Sequence, residues 1–536
     1  MAKRNRTAVI EWVLVGALAL FVTAYSTVWA FRARAPQMDF FAFRQVATAL
    51  TAGEIPDFYR TAPLYSALMA AGAHIAPGRD PFLTTARAVN VAAGAVALLL
   101  LFVWARPVLG RWAVAASAWL AATSVFTVYT WAPICDMLFL TLIIATLVAR
   151  RRACRYVLGT LAALTRYEAL ALVVIFGVYD AWETRSWKWL AYAGAACLPA
   201  ALWLVLPVIF GRARGAYIDQ YFYLKPSGWA FISNAAHLLF QTRAAALRFL
   251  SCAAGVAAAA GLLYVGWKRR GSYLVAAVFF LFYVAAHIAW PWGWRRYFVA
   301  ALPLAVFGLW VAVVECGRRL YRSRWGSRVA AVAGLAGAAA TLAAGVAWAI
   351  RGGKEYALLV GGLSLFLTAA VVAASARPPL EWRRLGIGLL AVPVAAAFAA
   401  RSGAVAWDDY EWEQSGVTLR YAAEYLDRVA PEAKIATSSP VLLGYYMADR
   451  GKRLISVDRL RVKGYKDLAP KLRKAGADYV VADGTTCGVV DVAVPPRPAA
   501  RALKPLYDGK AGPPYRLVKV VETRFERSLI YRFGAR

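Results

Sequence analysis

The sequence predicts a multi-pass α-helical membrane protein of about thirteen membrane segments, followed by a small C-terminal extracytoplasmic α/β domain. Three observations lead there. Apolar runs recur from near the N-terminus to residue 402, most of them about twenty residues long. Clusters of arginine fall between the runs rather than within them. From residue 403 to 536 the pattern changes to short strand-like and helix-like stretches in alternation.

Composition agrees. The chain has 536 residues, 61% hydrophobic and only 17% charged, with a mean hydropathy of +0.52. A soluble chain of this length carries more charge. The formal charge of +33 comes from 62 Lys+Arg against 29 Asp+Glu. Nucleic-acid binding is one source of such an excess, but arginines confined to loops between apolar runs point to cytoplasmic loops instead. Five of the six cysteines lie in or beside membrane segments, and no CxxC spacing occurs. Neither a disulfide framework nor a cysteine zinc site is expected.

The N-terminal "MAKRNR" is a basic flank, and the run 8–30 that follows is longer than a signal-peptide core, so it reads as an uncleaved first helix with a cytoplasmic N-terminus. The stretch 31–65 then holds two short apolar pieces. "FFAFRQVATAL" has apolar residues at 40, 43, 47 and 50, as an interfacial helix requires. "APLYSALMAAGAHIA" is the second, with Pro63 in its first turn. Membrane segments are expected at 84–105, 112–130 and 133–149.

Residues 155–182 allow two readings, because Arg166 and Glu168 lie in their middle. A single helix buries both charges at mid-membrane; a hairpin of two short helices returns to the side it left. With the hairpin, every dense cluster falls inside: Arg150 to Arg155, Lys268 to Arg270, Arg318 to Arg328, Arg383 and Arg384. The hairpin is therefore expected, with arms of about 15–20 Å that leave a hollow on the outer side. Further segments follow at 188–210, 243–267, 272–290, 297–315, 328–350, 356–375 and 385–402, which leaves the C-terminus outside. In the tail, "AKIATS", "RLISV" and "ADYVVAD" are strand-like, "GVTLRYAAEYLDRV" and "YKDLAPKLRKAG" helix-like, and "YRLVKVVET" with "RSLIYRF" a closing strand pair. No Gly-rich phosphate loop marks this domain, and its expected role is a cap.

Residues 1–402 hold thirteen acids, and the expected topology leaves eight for the outer side. Asp136 in "YTWAPICDMLFL" and Glu168 in "LTRYEAL" sit in apolar surroundings, where a charge is costly and marks a functional hypothesis. Asp39 stands where the first helix leaves the bilayer. The plainer roles are a helix cap for Asp39 and for Asp136 and an ion pair with Arg166 for Glu168. Outward cations include Arg60 in "DFYRTAPLY", Lys225, Arg243, and Arg295 with Arg296 in "WPWGWRRYFVAALPL". Arginine forks suit a phosphate group, while arginines at a helix end also snorkel to lipid headgroups. A lipid-phosphate leaving group gains charge as its bond to a sugar breaks, which arginines in a dry hollow stabilise. An acceptor hydroxyl then needs a carboxylate base.

The order of these features resembles the GT-C class of membrane glycosyltransferases, most closely the protein O-mannosyltransferase and aminoarabinose transferase superfamily. The features are Asp39 after the first helix, a loop ending in Tyr59-Arg60 before Pro63-Leu64, then "LTRYEAL" and "RRYFVAALPL". The resemblance covers domain 1–402. It implies inverting transfer of a sugar from a polyprenyl-phosphate carrier to an extracytoplasmic acceptor at the inner membrane of a bacterium. It implies Asp39 as the catalytic carboxylate, Arg60 at the carrier phosphate and the pair Arg296-Tyr297 at the substrate. Tyr59, Asp136, Arg166, Glu168 and Arg295 complete the candidate substrate-binding set. This chain has Asp39-Phe40 where many relatives have Asp-Glu, and Ala62-Pro63-Leu64 where many have Lys-Pro-Pro-Leu. His74, His237 and His287 are scattered, so a divalent metal is only weakly signalled and no cofactor is assigned. The expected partners are the lipid-linked donor, the acceptor and membrane lipids, with no nucleic acid. A transporter or flippase of lipid-linked sugars is the alternative, but it calls for polar groups on both membrane halves and an internal repeat. A non-catalytic scaffold is the third reading.

Overall fold

The structure is a computed structural model of the chain. It describes residues 2–32, 38–54, 56, 61–78, 80–209, 245–288, 299–322, 417–447, 453–484, 498–522 and 527–534. The expected helices at 328–350, 356–375 and 385–402 lie outside these residues. The chain divides into two units, Met1–Ala30 with Ala42–Ala406, and Phe31–Phe41 with Trp407–Arg536.

The first unit is helical. It begins with α1 (Ala2–Arg32), α2 (Met38–Thr51), α3 (Pro63–Ala73) and α4 (Pro81–Leu109), although the last residues of α1 and the first turn of α2 are assigned to the second unit. Pro63 and Pro81 open their helices at the position where a missing amide costs nothing. Asp80 caps α4 by accepting from the Leu83 amide at 3.1 Å. Gly110, at φ 57°, ends α4 in a backbone conformation closed to most side chains. The expected single segment 112–130 is two helices, α5 (Trp112–Ala122) and α6 (Ser124–Tyr129). The break falls at Thr123, whose extended backbone leaves the helix and whose hydroxyl donates to the Leu120 carbonyl at 2.7 Å. Next comes α7 (Asp136–Val148).

The charged region 155–182 is a helical hairpin, α8 (Arg152–Ala163) and α9 (Ala169–Thr184). The open end of the hairpin is clamped: Arg152 reaches Asp180 at 3.1 Å and Glu183 at 2.6 Å, and the Tyr156 hydroxyl donates to Asp180. At 1.5 Å per residue the arms are about 18 and 24 Å long, so the second is longer than expected. The unit continues with α10 (Lys188–Ile209), α11 (Ala245–Arg269), α12 (Gly271–Ile288) and α13 (Leu302–Arg322). Among the described residues, four stretches are long and apolar enough to cross a membrane: Ala8–Ala30, Pro81–Leu109, Lys188–Leu206 and Val299–Cys316. The first three of these expose apolar side chains, Leu20, Val96 and Leu198 among them, as lipid contact requires. Where α11 crosses α13 the backbones touch through Gly261 and Gly308; a methyl on either collides with a carbonyl oxygen of the other helix.

The second unit carries a five-stranded sheet in the order β2-β1-β3-β5-β4. Its strands are β1 (Ile435–Thr437), β2 (Leu454–Ser456), β3 (Tyr479–Asp483), β4 (Tyr515–Glu522) and β5 (Arg527–Phe533). β1 pairs parallel with β2 and β3, while β5 pairs antiparallel with β3 and β4. The unit's helices are α14 (Val417–Val429), α15 (Pro440–Tyr446), α16 (Tyr465–Ala475) and α17 (Pro498–Tyr507). Residues alternate in facing along each strand. Ala436, Val480, Ala482 and Tyr531 share one core with Leu468, Leu472 and Leu503 of α16 and α17. The intervening Ile435, Val481 and Ile530 are equally buried and lie on the opposite side of the sheet, where α14 packs with α15.

Candidate functional site

Asp136 begins α7, but it is not that helix's cap. The N-cap position is Cys135, and no side chain closes the helix there. Asp136 is 3% exposed, and its carboxylate accepts from Nη1 of Arg166. Arg166 belongs to the short link, residues 164–168, at the tip of the α8–α9 hairpin. Two further donors turn to Glu168, with Nη2 to Oε1 at 2.6 Å and Nε to Oε2 at 3.4 Å. The guanidinium also lies 5.6 Å from the Phe139 ring centroid. From α12, His287 brings Nε2 to 3.6 Å from Oε1 of Glu168. Its Nδ1 lies 2.8 Å from the Tyr283 carbonyl oxygen, and the two rings stack with centroids 4.1 Å apart.

Two supports hold these groups in register. The turn before α7 is pinned by Asn90 of α4, whose amide donates to the carbonyls of Ala132 and, at 2.7 Å, Ile134. The hairpin tip is pinned by α3, where the Leu64 amide donates to the Leu164 carbonyl at 2.8 Å. Just before α3, the Thr61 carbonyl accepts from the Trp203 indole at 3.1 Å. Tyr65, fully buried, donates to the Ala86 carbonyl at 3.1 Å and meets Phe43 of α2 edge-on. Thus α2, α3, α4, α7, α12 and the hairpin converge around one polar cluster.

The chemistry follows from occupancy. Arg166 spends its fork on two carboxylates, so it organises the cluster rather than offering a free phosphate clamp. Glu168, 17% exposed at its side chain, is the most open member of the Asp136–Arg166–Glu168 group. Its oxygens retain lone pairs for a hydroxyl donor. Among the described residues no three His, Cys, Asp or Glu side chains gather as a metal-holding group.

The structure brings three of the sequence-predicted residues together: Asp136, Arg166 and Glu168. The expected Arg166–Glu168 pair is present, and Asp136 joins it. Asp39 lies in α2, while its side chain falls outside the described residues. Tyr59, Arg60, Arg295, Arg296 and Tyr297 lie outside them altogether. His287, Asn90 and Tyr65 escaped sequence reasoning. Asn90 had a signal, a lone amide inside an apolar membrane run; His287 had the same one, near the end of "FYVAAHI".

No protein-family model and no curated protein sequence matches the chain. Solved structures do. ArnT from Cupriavidus metallidurans in the apo state is 16% identical over 98% of each chain, with a TM-score of 0.56. The same protein bound to undecaprenyl phosphate is 15% identical over 97% of each chain, with a TM-score of 0.58. A looser likeness, TM-score 0.45 at 13% identity over 91% of this chain and 72% of that one, is to the archaeal oligosaccharyltransferase AglB from Archaeoglobus fulgidus. From its first helix to its C-terminal sheet, the chain therefore has the fold of the GT-C membrane glycosyltransferases.

Proposed function

We propose that the chain is an inverting glycosyltransferase that moves a sugar from a polyprenyl-phosphate carrier to an acceptor outside the cytoplasm. The observation that carries this reading is the buried Asp136–Arg166–Glu168 group at a hairpin tip, in a chain folded over nearly its whole length like ArnT. In this reading Asp39 is the base that takes the acceptor's proton. It stands one turn before Phe43 on α2, the helix that touches α3 through Tyr65. Arg60, Arg295 and Arg296 neutralise the carrier phosphate as the glycosidic bond breaks. Tyr59 and Tyr297 line the substrate, and Asp136 and Glu168, held by Arg166, receive sugar hydroxyls. The N-terminus is cytoplasmic, and domain 403–536 stands outside a bacterial inner membrane.

The test compares lipids, glycans and proteins of the cell envelope by mass spectrometry, with the wild-type chain and with Asp39→Asn. A sugar present with the wild type and missing with Asp39→Asn, at equal membrane insertion, is the expected result. Near-normal transfer by Asp39→Asn removes Asp39 from the base position. For Arg60→Ala the expected result is a raised requirement for donor; an unchanged donor dependence removes Arg60 from the phosphate site.

A further inference from the structure

At the open end of the α8–α9 hairpin lies a cavity of about 540 Å³, and four arginines line it: Arg150, Arg151, Arg152 and Arg155. Glu183 of α9 and Trp189 of α10 line it too. Part of this lining is held firmly. Arg152 is gripped by Asp180 and Glu183, and its guanidinium lies 5.1 Å from the Trp189 ring centroid. Trp189 in turn stacks on Tyr156, with centroids 6.0 Å apart. Arg155 donates to the Ala149 carbonyl at 2.8 Å and reaches Asp180 at 3.6 Å. Tyr179 accepts from the Gly271 amide at 2.8 Å, which fastens the start of α12 to the same groove.

Positive charge is in excess here. Four guanidiniums meet only two carboxylates, Asp180 and Glu183. Arg150 and Arg151 are exposed, and among the described residues neither pairs with a carboxylate. Lys188 beside Trp189 and Arg270 beside Gly271 add to the same sign. Like charges this close repel one another, and a bound anion relieves the repulsion. The surroundings are those of a membrane surface. Trp182, Trp187, Tyr192 and Trp267 are each more than half exposed near these helix ends, as in an interfacial aromatic belt. Val157 of α8 and Val178 of α9 are exposed beside the groove residues Arg155 and Tyr179. Arg152 begins α8 and Arg166 follows its end, so the length of that helix, about 18 Å, separates the groove from the Asp136–Arg166–Glu168 group.

We propose that this groove binds the headgroup of an anionic phospholipid. A phosphodiester offers paired acceptor oxygens that match the guanidinium fork. Arg150 and Arg151 are free to take them, while Arg152 stays fixed against Trp189. Basic pockets between membrane helices hold such headgroups. The exposed rings set the groove at headgroup level, and Val157 and Val178 offer apolar surface to the acyl chains. A soluble phosphate gains the arginines alone, so the lipid is the better fit. The site does not depend on the transferase reading.

Native mass spectrometry of the full chain in detergent tests it, with phosphatidylglycerol, phosphatidylcholine and inorganic phosphate as probes. Phosphatidylglycerol should stay bound and phosphatidylcholine should not. Inorganic phosphate at the same concentration should fail to displace the lipid. Arg150→Gln/Arg151→Gln should weaken phosphatidylglycerol binding about twentyfold, at roughly fivefold for each arginine lost near a membrane surface. Lys3→Gln/Arg4→Gln removes the same charge from the start of α1 and should leave binding unchanged. Arg150→Gln alone is read in parallel in case the double variant unfolds. The readout needs no sugar transfer, so this site and the transfer reaction stand or fall separately. The proposal is overturned if the two lipids bind alike or if inorganic phosphate displaces phosphatidylglycerol. It is equally overturned if a folded Arg150 variant binds phosphatidylglycerol as well as Lys3→Gln/Arg4→Gln does.

Discussion

The Leu64 amide donates to the Leu164 carbonyl oxygen at 2.8 Å, joining the first turn of α3 to the tip of the α8–α9 hairpin. This one backbone bond brings two stretches a hundred residues apart in sequence to the same place. Two residues beyond Leu164 stands Arg166, and four before Leu64 stands Arg60. The bond thus links the loop expected to carry catalysis to the charges that the hairpin buries.

Arg166→Leu should destabilise the protein by about 3–5 kcal/mol, because it strands two buried carboxylates. Thermal unfolding in detergent measures this. Combining it with Asp136→Leu and Glu168→Leu should restore much of the stability by removing the stranded charges. Sugar transfer should not return in the triple variant. Recovery of transfer would show that the cluster only stabilises the fold.

Asn90→Leu removes both hydrogen bonds to the turn before α7 at nearly constant volume. The expected cost is about 1–3 kcal/mol, since two buried carbonyls lose their donor. Asn90→Asp should be worse than Asn90→Leu, because a carboxylate cannot donate to either carbonyl. Thermal midpoints of the two variants, compared side by side, decide it.

Gly261→Ala should lower stability by about 1–3 kcal/mol, since the new methyl must push α11 from α13. Gly16→Ala is the control: a methyl there meets nothing within 4 Å. It should be neutral or slightly stabilising, as alanine favours the helix. Equal midpoints for the two variants would refute the close crossing.

In the C-terminal unit, Asp467 accepts from the Lys463 amide at 3.1 Å and pairs with Lys471 at 3.0 Å. The amide first, and the lysine after it, hold its carboxyl below the ordinary aspartate value. A carboxyl lowered by folding adds stability above its unfolded-state value, and that stability disappears as pH falls through the folded one. Asp467→Asn should therefore reduce the acid-side slope of the domain's unfolding and leave the alkaline side alone. Chemical unfolding followed from pH 2 to pH 8 checks this.

The elements of the fold were legible because each writes a period into the sequence. The apolar runs around α1, α4, α10 and α13 are long enough to read alone. The strands β3 and β5 read from their β-branched and aromatic residues. The hairpin was legible for a different reason: only a return to the same side keeps the arginine clusters together. The break at Thr123 was not legible, because an apolar run carries no mark of where a helix bends. At the candidate site, Arg166 and Glu168 stand two residues apart, so their pairing could be read locally. The contact with Asp136 spans thirty residues and that with His287 far more.

By itself the sequence determined the class of the protein, its long apolar helices and the elements of its C-terminal unit. Burial, charge placement and period are local properties, and a linear chain displays them. Only the tertiary structure decided that Asp136, Arg166, Glu168 and His287 are neighbours, and that Ser438 and Ser439, just after β1, donate to Asp483 at the end of β3. Such meetings depend on which helix faces close on one another and in what order strands pair. Those choices are made by packing over long separations, where no residue's neighbours in sequence carry the information.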